Sequence, residues 1–114
     1  MKTLKTFLIF TVLLFTMTMI HAQTIFTVNN PAFADVKVYV TNNSAFADLV
    51  VFQVNSSAYA TGNRGLWCFV NNAAYAYKKV YFVNNPAFAN LTIYFTYSSE
   101  FAGWKNRNKM YLML

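Results

Sequence analysis

The stretch "VNNPAFADVKVYV", Val28 to Val40, returns as "VNNPAFANLTIYF", Val83 to Phe95, fifty-five residues further along the chain. Each copy reads as a turn, an aromatic residue between two alanines, and then a strand. Working outward, an aromatic followed by alanine occurs at Phe33, Phe46, Tyr59, Tyr75, Phe88 and Phe101, at spacings of 13, 13, 16, 13 and 13. In five copies alanine also precedes the ring, and the sixth has Glu100 there. The longer spacing arises within "TGNRG", Thr61 to Gly65, whose two glycines mark an extended loop. Six internal repeats are therefore the organising feature.

Asn30 before Pro31, and Asn85 before Pro86, place a side-chain acceptor at a helix N-cap and a fixed φ at the first helical position. There is room for about one turn before the next strand, and one turn is not stable alone. The expectation is that each ring is a buried anchor whose flanking alanines let the turn lie close to its receptor. On that reading Phe88→Ala costs about 3 to 5 kcal/mol.

After each ring the pattern changes to period two. In "VKVYV", "LVVFQV", "KVYFV" and "LTIYFT" an aliphatic residue (Val38, Val51, Val80, Ile93) precedes an aromatic (Tyr39, Phe52, Tyr81, Tyr94), which predicts strands. The same phase adds Thr24 to Val28, Leu66 to Val70 and about Asn108 to Leu112, so six repeats imply seven strands. Apolar residues on both faces mark strands in a crowded interior. Connections of about seven residues are longer than a tight hairpin and shorter than an ordinary parallel crossover, which leaves the topology open.

The start of the chain has a different character. Lys2 and Lys5 precede an apolar run, Phe7 to Ile20, interrupted only by threonine, and then "HAQ". This fits a secretory signal peptide, residues 1–22, cleaved before Gln23. Fourteen residues rise only about 21 Å as a helix against about 30 Å of hydrocarbon, so no membrane span is expected once the signal is removed. The mature chain, residues 23–114, is one domain, expected to be monomeric and secreted, periplasmic or held at the cell envelope. Cys68 is the only cysteine, so an internal disulfide is not what stabilises it. Nine basic residues fall to seven without Lys2 and Lys5, and against three acidic residues leave a net charge of +4. That balance suits an anionic envelope component or glycan and falls short of a nucleic-acid binder.

The repeats and their strands, "GLWCFV" at Gly65 to Val70 and the closing "EFAGWKNRNKMYL" at Glu100 to Leu112, resemble the 7(1) septoil knot domain family of bacterial proteins. The resemblance covers essentially all of the mature chain. It implies an α+β, strand-rich single domain of about seven short strands joined by one-turn helices and threaded into a deep torus-type knot. Family members often carry an acid before the repeat alanine, whereas here only Asp35 and Asp48 follow the ring.

Groups able to do chemistry are few. The only histidine, His21, lies in the signal segment, which removes the commonest general base and metal ligand. Cys68 occupies the phase of Tyr39, Phe52, Tyr81 and Tyr94 and reads as a buried structural thiol. Asp35 and Asp48 hold equivalent places after their rings, a turn role rather than a catalytic pair. No enzyme, cofactor or metal is expected. Lys105, Arg107 and Lys109 alternate with asparagines and would form a basic ridge if that segment were extended. Such a ridge serves either as a charged edge against strand addition or as a contact for anionic glycans. Tyr77, Tyr97, Trp67 and Trp104 offer faces for stacking on sugars. Sequons stand at Asn42, Asn55 and Asn90. The expected function is a non-enzymatic structural or interaction module, with glycan or envelope binding as the alternative.

Overall fold

The computed structural model describes residues 21–114. The expected signal segment lies outside the described residues except for His21 and Ala22. Seven strands follow one another: β1 (Thr24–Thr27), β2 (Val36–Val40), β3 (Leu49–Gln53), β4 (Leu66–Phe69), β5 (Lys78–Phe82), β6 (Leu91–Phe95) and β7 (Gly103–Trp104). Between them stand six 3₁₀ turns: η1 (Pro31–Phe33), η2 (Ser44–Phe46), η3 (Ser57–Tyr59), η4 (Ala73–Tyr75), η5 (Pro86–Phe88) and η6 (Ser99–Phe101). The helical elements of the described residues are all of this 3₁₀ kind, so the α component of the expected class is not observed. Single turns explain this: two i→i+3 bonds plus a cap complete them, as when Ala32 N donates to Asn30 Oδ1 (2.9 Å), Phe33 N to the Asn30 carbonyl (3.1 Å) and Ala34 N to the Pro31 carbonyl (3.2 Å). Asn43, Ser56, Asn72 and Asn85 cap their turns in the same way.

The strand order is β4-β1-β5-β2-β6-β3-β7, and a further pairing of β3 with β4 closes six parallel strands into a barrel-like sheet. Hence the chain circles the barrel nearly twice, with β5 and β6 inserted between strands of the first circuit. How can connections of only eight residues, such as Val28–Asp35, make parallel crossovers? The register answers this. Val80 pairs with Thr27, the last residue of β1, on one side and with Val36, the first of β2, on the other. Ile93 likewise receives Val40 and Leu49, and Val38 receives Phe82 and Leu91. A strand therefore ends level with the start of the next, and the connection only has to step sideways over one strand, about 10 Å. It does so as a strap on the outer wall: η2 lies on β6, η5 on β2 and η6 on β3, whereas η3 joins the directly paired β3 and β4 and lies against β4.

Inside the barrel, one residue per strand recurs at the repeat spacing and is fully buried: Ile25, Val38, Val51, Trp67, Val80 and Ile93. Val36, Leu49 and Leu91 form a second set two residues earlier. Phe69, Phe82 and Phe95 pack against this core at the other end of their strands. The straps explain the apolar outer faces, because Tyr39, Phe52, Tyr81 and Tyr94 are half-buried beneath or beside them. Cys68 is buried, as expected.

Three features differ from the sequence expectation. The rings of Phe33, Phe46, Tyr59, Tyr75, Phe88 and Phe101 are not buried; each is about 70% exposed (69, 73, 69, 72, 70 and 69%). The interior is already filled by strand residues, so the strap turns its small alanine to the wall (Ala47 and Ala60 are buried) and its ring to solvent. The seventh strand is Gly103–Trp104, antiparallel to β3, rather than about 108–112. Lys105 N and Asn106 N both donate to the Asp48 carbonyl (2.8 and 3.0 Å), which ends the ladder. A 3₁₀ segment, η7 (Arg107–Met113), follows and delivers Met113 to the core, where Gln23 Nε2 donates to the Met113 carbonyl (3.0 Å). The third difference concerns "TGNRG", which is more than a loop. Asn63 Nδ2 donates to the Met110 carbonyl, Trp104 Nε1 donates to Asn63, and Thr61 bridges Ala22, so the insertion fastens the segment before β1 to the segment from β7 onward.

Asp35 and Asp48 are structural, but at long range. Asp48 Oδ2 accepts from Thr92 N (2.9 Å) while Asp48 N donates to the Thr92 carbonyl (2.8 Å), and Asp35 makes the same pair with Lys79. Asn90 repeats the device with Lys37. Asp48→Ala is expected to cost about 2 kcal/mol by stranding the Thr92 amide, whereas Asp48→Asn, which supplies the same carbonyl acceptor as Asn90, should cost under about 1 kcal/mol. Equal losses for the two variants in denaturant titrations would refute this role.

Candidate functional site

The exposed rings define the surface that distinguishes this barrel. Each sits on a strap, and the straps lie against different strands of the closed wall, η3 on β4, η5 on β2, η2 on β6 and η6 on β3, so the rings are spread around the barrel as a belt. An exposed ring of this size is not stabilising in itself, and six at equivalent places exceed what surface composition needs.

Three open grooves lie beside the belt, with volumes of about 490, 520 and 420 Å³. They share one construction. Tyr94 and Phe101 line the first, Phe52 and Tyr59 the second, and Tyr81 and Phe88 the third; in each case a half-buried strand aromatic precedes an exposed belt ring by seven residues. The opposite wall comes from the start of another repeat's turn: Ser44, Ser99 and Pro31 respectively. One basic side chain completes each groove, Lys105, Arg64 or Lys37, all exposed, and no carboxylate lines any of the three.

The residues singled out for binding separate in the structure. Lys105, Arg107 and Lys109 do not form a ridge, because residues 107–113 coil into η7. Lys105 Nζ donates to the Ser44 carbonyl (2.8 Å), Lys109 Nζ pairs with Asp48 Oδ2 (3.2 Å), and Arg107 is exposed apart from them. Trp67 is in the core rather than free to stack on a ligand. Trp104 is half-buried with its indole N–H committed to Asn63. Tyr77 is half-buried and stacked on His21, with ring centroids 5.1 Å apart. Tyr97 is fully exposed and lines the first groove. The belt rings were visible in the sequence as a repeat but carried the wrong sign of burial. Period two in the strands shows where the interior is; nothing local shows that it is already full.

Among the described residues no group of His, Cys, Asp and Glu is placed to hold a metal ion, and no helix is long and apolar enough to cross a membrane. The architecture is that of a small, doubly wound parallel barrel with strapped walls. The 7(1) septoil knot domain family matches residues 22–105, and the chain belongs to that family. No curated protein and no solved structure matches the chain.

With its ring about 70% exposed, Phe88 contributes little to stability. Phe88→Ala is now expected to cost less than about 1 kcal/mol, far below the 3 to 5 kcal/mol of a core phenylalanine. Thermal denaturation decides between these figures, and a loss in the core range would show the ring to be a buried anchor after all.

Proposed function

We propose that this domain is a non-enzymatic binding module of the cell envelope or extracellular space, held in a deep torus-type knot and attaching to glycans through its aromatic belt. The observation that carries this reading is the outward placement of six equivalent rings beside grooves that recur around the barrel. Flat, partly apolar sugar faces stack on such rings, and a single rigid wall presents them without an ordering cost on binding. The apolar run before Ala22 supports export, and the lack of histidine after His21 argues against general acid–base chemistry.

The knot is supported by the interleaving of the two circuits. Strands of one circuit pass beneath straps of the other, as β2 does beneath η5 and β6 beneath η2. Threading of that kind slows unfolding and would replace the restraint that a disulfide supplies in other exported domains. Digestion of the secreted protein by a nonspecific protease should accordingly leave residues from about Gln23 onward intact long after an unthreaded barrel of similar stability is lost; rapid digestion would count against the threading.

Retention on isolated bacterial envelopes tests the binding role. The wild-type chain should co-sediment, and the triple variant Phe33→Ser, Phe88→Ser, Phe101→Ser should lose at least about fivefold in affinity while keeping its melting temperature within a few degrees. Undiminished retention of the variant would overturn the reading.

A further inference from the structure

We propose that the ligand is an anionic polysaccharide built on uronic acids, read by the repeated grooves as successive subsites; this rests on the glycan-binding reading above. Each groove obtains its charge from a different part of the chain. Lys37 on β2 faces the Phe88 groove. The equivalent positions in the other two grooves are Val50 and Leu66, which carry no charge, yet each of those grooves is supplied with a base from elsewhere, Lys105 after β7 and Arg64 from the "TGNRG" insertion. Three routes thus lead to a shared composition: at least two aromatics (Tyr97 and Phe82 add a third to the first and third grooves), a backbone turn of another repeat, and one exposed cation with no carboxylate in the lining. A pyranose ring carrying a carboxylate fits that composition, its apolar face on the belt ring and its carboxylate on the base.

Lys105 Nζ spends one hydrogen on the Ser44 carbonyl, and Arg64 Nε donates to the Thr61 carbonyl (3.1 Å). These bonds hold each cation beside its groove and leave further donors free, two on the ammonium and the terminal N–H groups of the guanidinium. Recurrence matters as well. Moving thirteen residues along the chain turns the lining Tyr81, Val83 and Phe88 into Tyr94, Thr96 and Phe101, so the same groove recurs one repeat later, two strands along the wall. A periodic receptor suits a periodic ligand, and engagement of several grooves multiplies weak contacts. A planar lipid surface fits less well, because a belt around the girth offers only part of itself to a plane.

The test measures binding of the full secreted chain to polygalacturonate, hyaluronan and alginate, and to the carboxyl-reduced product of each polymer. At least one uronate polymer should bind, with affinity rising with chain length and falling with salt. Carboxyl reduction should weaken it at least about fivefold, and Lys37→Gln, Arg64→Gln and Lys105→Gln should each weaken it about two- to fivefold at unchanged melting temperature. Equal binding of a reduced polymer would sink the anionic subsite while leaving a neutral-glycan role standing. Absence of binding to all three polymers, or binding only to vesicles of equal phosphatidylglycerol and phosphatidylcholine, would overturn the proposal. Failure of the broader reading is distinct, since it shows as ring-independent envelope retention.

Discussion

A strand of this barrel ends beside the same buried residue at which the next one begins, and everything else follows from that alignment. Val80 holds Thr27 and Val36, while Ile93 holds Val40 and Leu49. Partners between the two circuits lie 44 or 53 residues away, whereas residues at the same repeat position are 42 or 55 apart; where β3 meets β4 the figures are 14 and 16. Each neighbour is therefore staggered by two residues, which tilts the strands around the barrel. Because the slip is an even number, the inward phase is preserved and the aliphatic set stays inside. An odd slip would have turned Val38 and Ile93 to the wall. The tilt also brings strand ends level, so a parallel crossover needs no helix layer, and a single 3₁₀ turn suffices.

Short straps have two further consequences. Lying flat against the wall, they need small residues on their inner side, which accounts for the alanine after each ring. They also leave no second layer to receive a large side chain, so the rings face outward. Long-range hydrogen bonds replace the local ones a hairpin would use. Asp35, Asp48 and Asn90 fasten the ends of three straps, those of η1, η2 and η5, to a strand of the other circuit. With pairing of this separation, loop-closure entropy must be met before contacts form, and slow folding is the expected companion of the architecture. Stability without a disulfide then rests on a dry interior of aliphatic residues and Trp67, closed by Met113 from the C-terminal segment.

The grooves are a by-product of the same geometry. Beside η3, η5 and η6 a groove opens between the strap's ring and the start of another repeat's turn, and the outer strand aromatic lines it. The barrel repeats this element around itself, and the base beside each groove is the part that varies in origin. Charge in the domain is placed accordingly: the two aspartates are engaged with backbone amides, while Lys37, Arg64 and Lys105 remain at the surface.

Much of the architecture is legible in the amino-acid order. Period two between turn signals located β1 to β6 within a residue or so, the asparagine caps before Pro31 and Pro86 located two of the turns, and the 13-residue repeat assigned Val38, Val51, Val80 and Ile93 to one equivalent place. These depend on neighbours a few residues apart, which is the range over which caps and side-chain alternation act. The interleaving, the outward rings, the coiling of residues 107–113 and the linking of Lys109 to Asp48 were decided only in three dimensions. Parallel pairing at a separation of 44 or 53 residues leaves no local signature, and whether an aromatic is an anchor or a surface depends on how much interior the other strands have already filled. The sequence determined that six rings are equivalent; the closed barrel, by filling itself with strand side chains, determined that they face water.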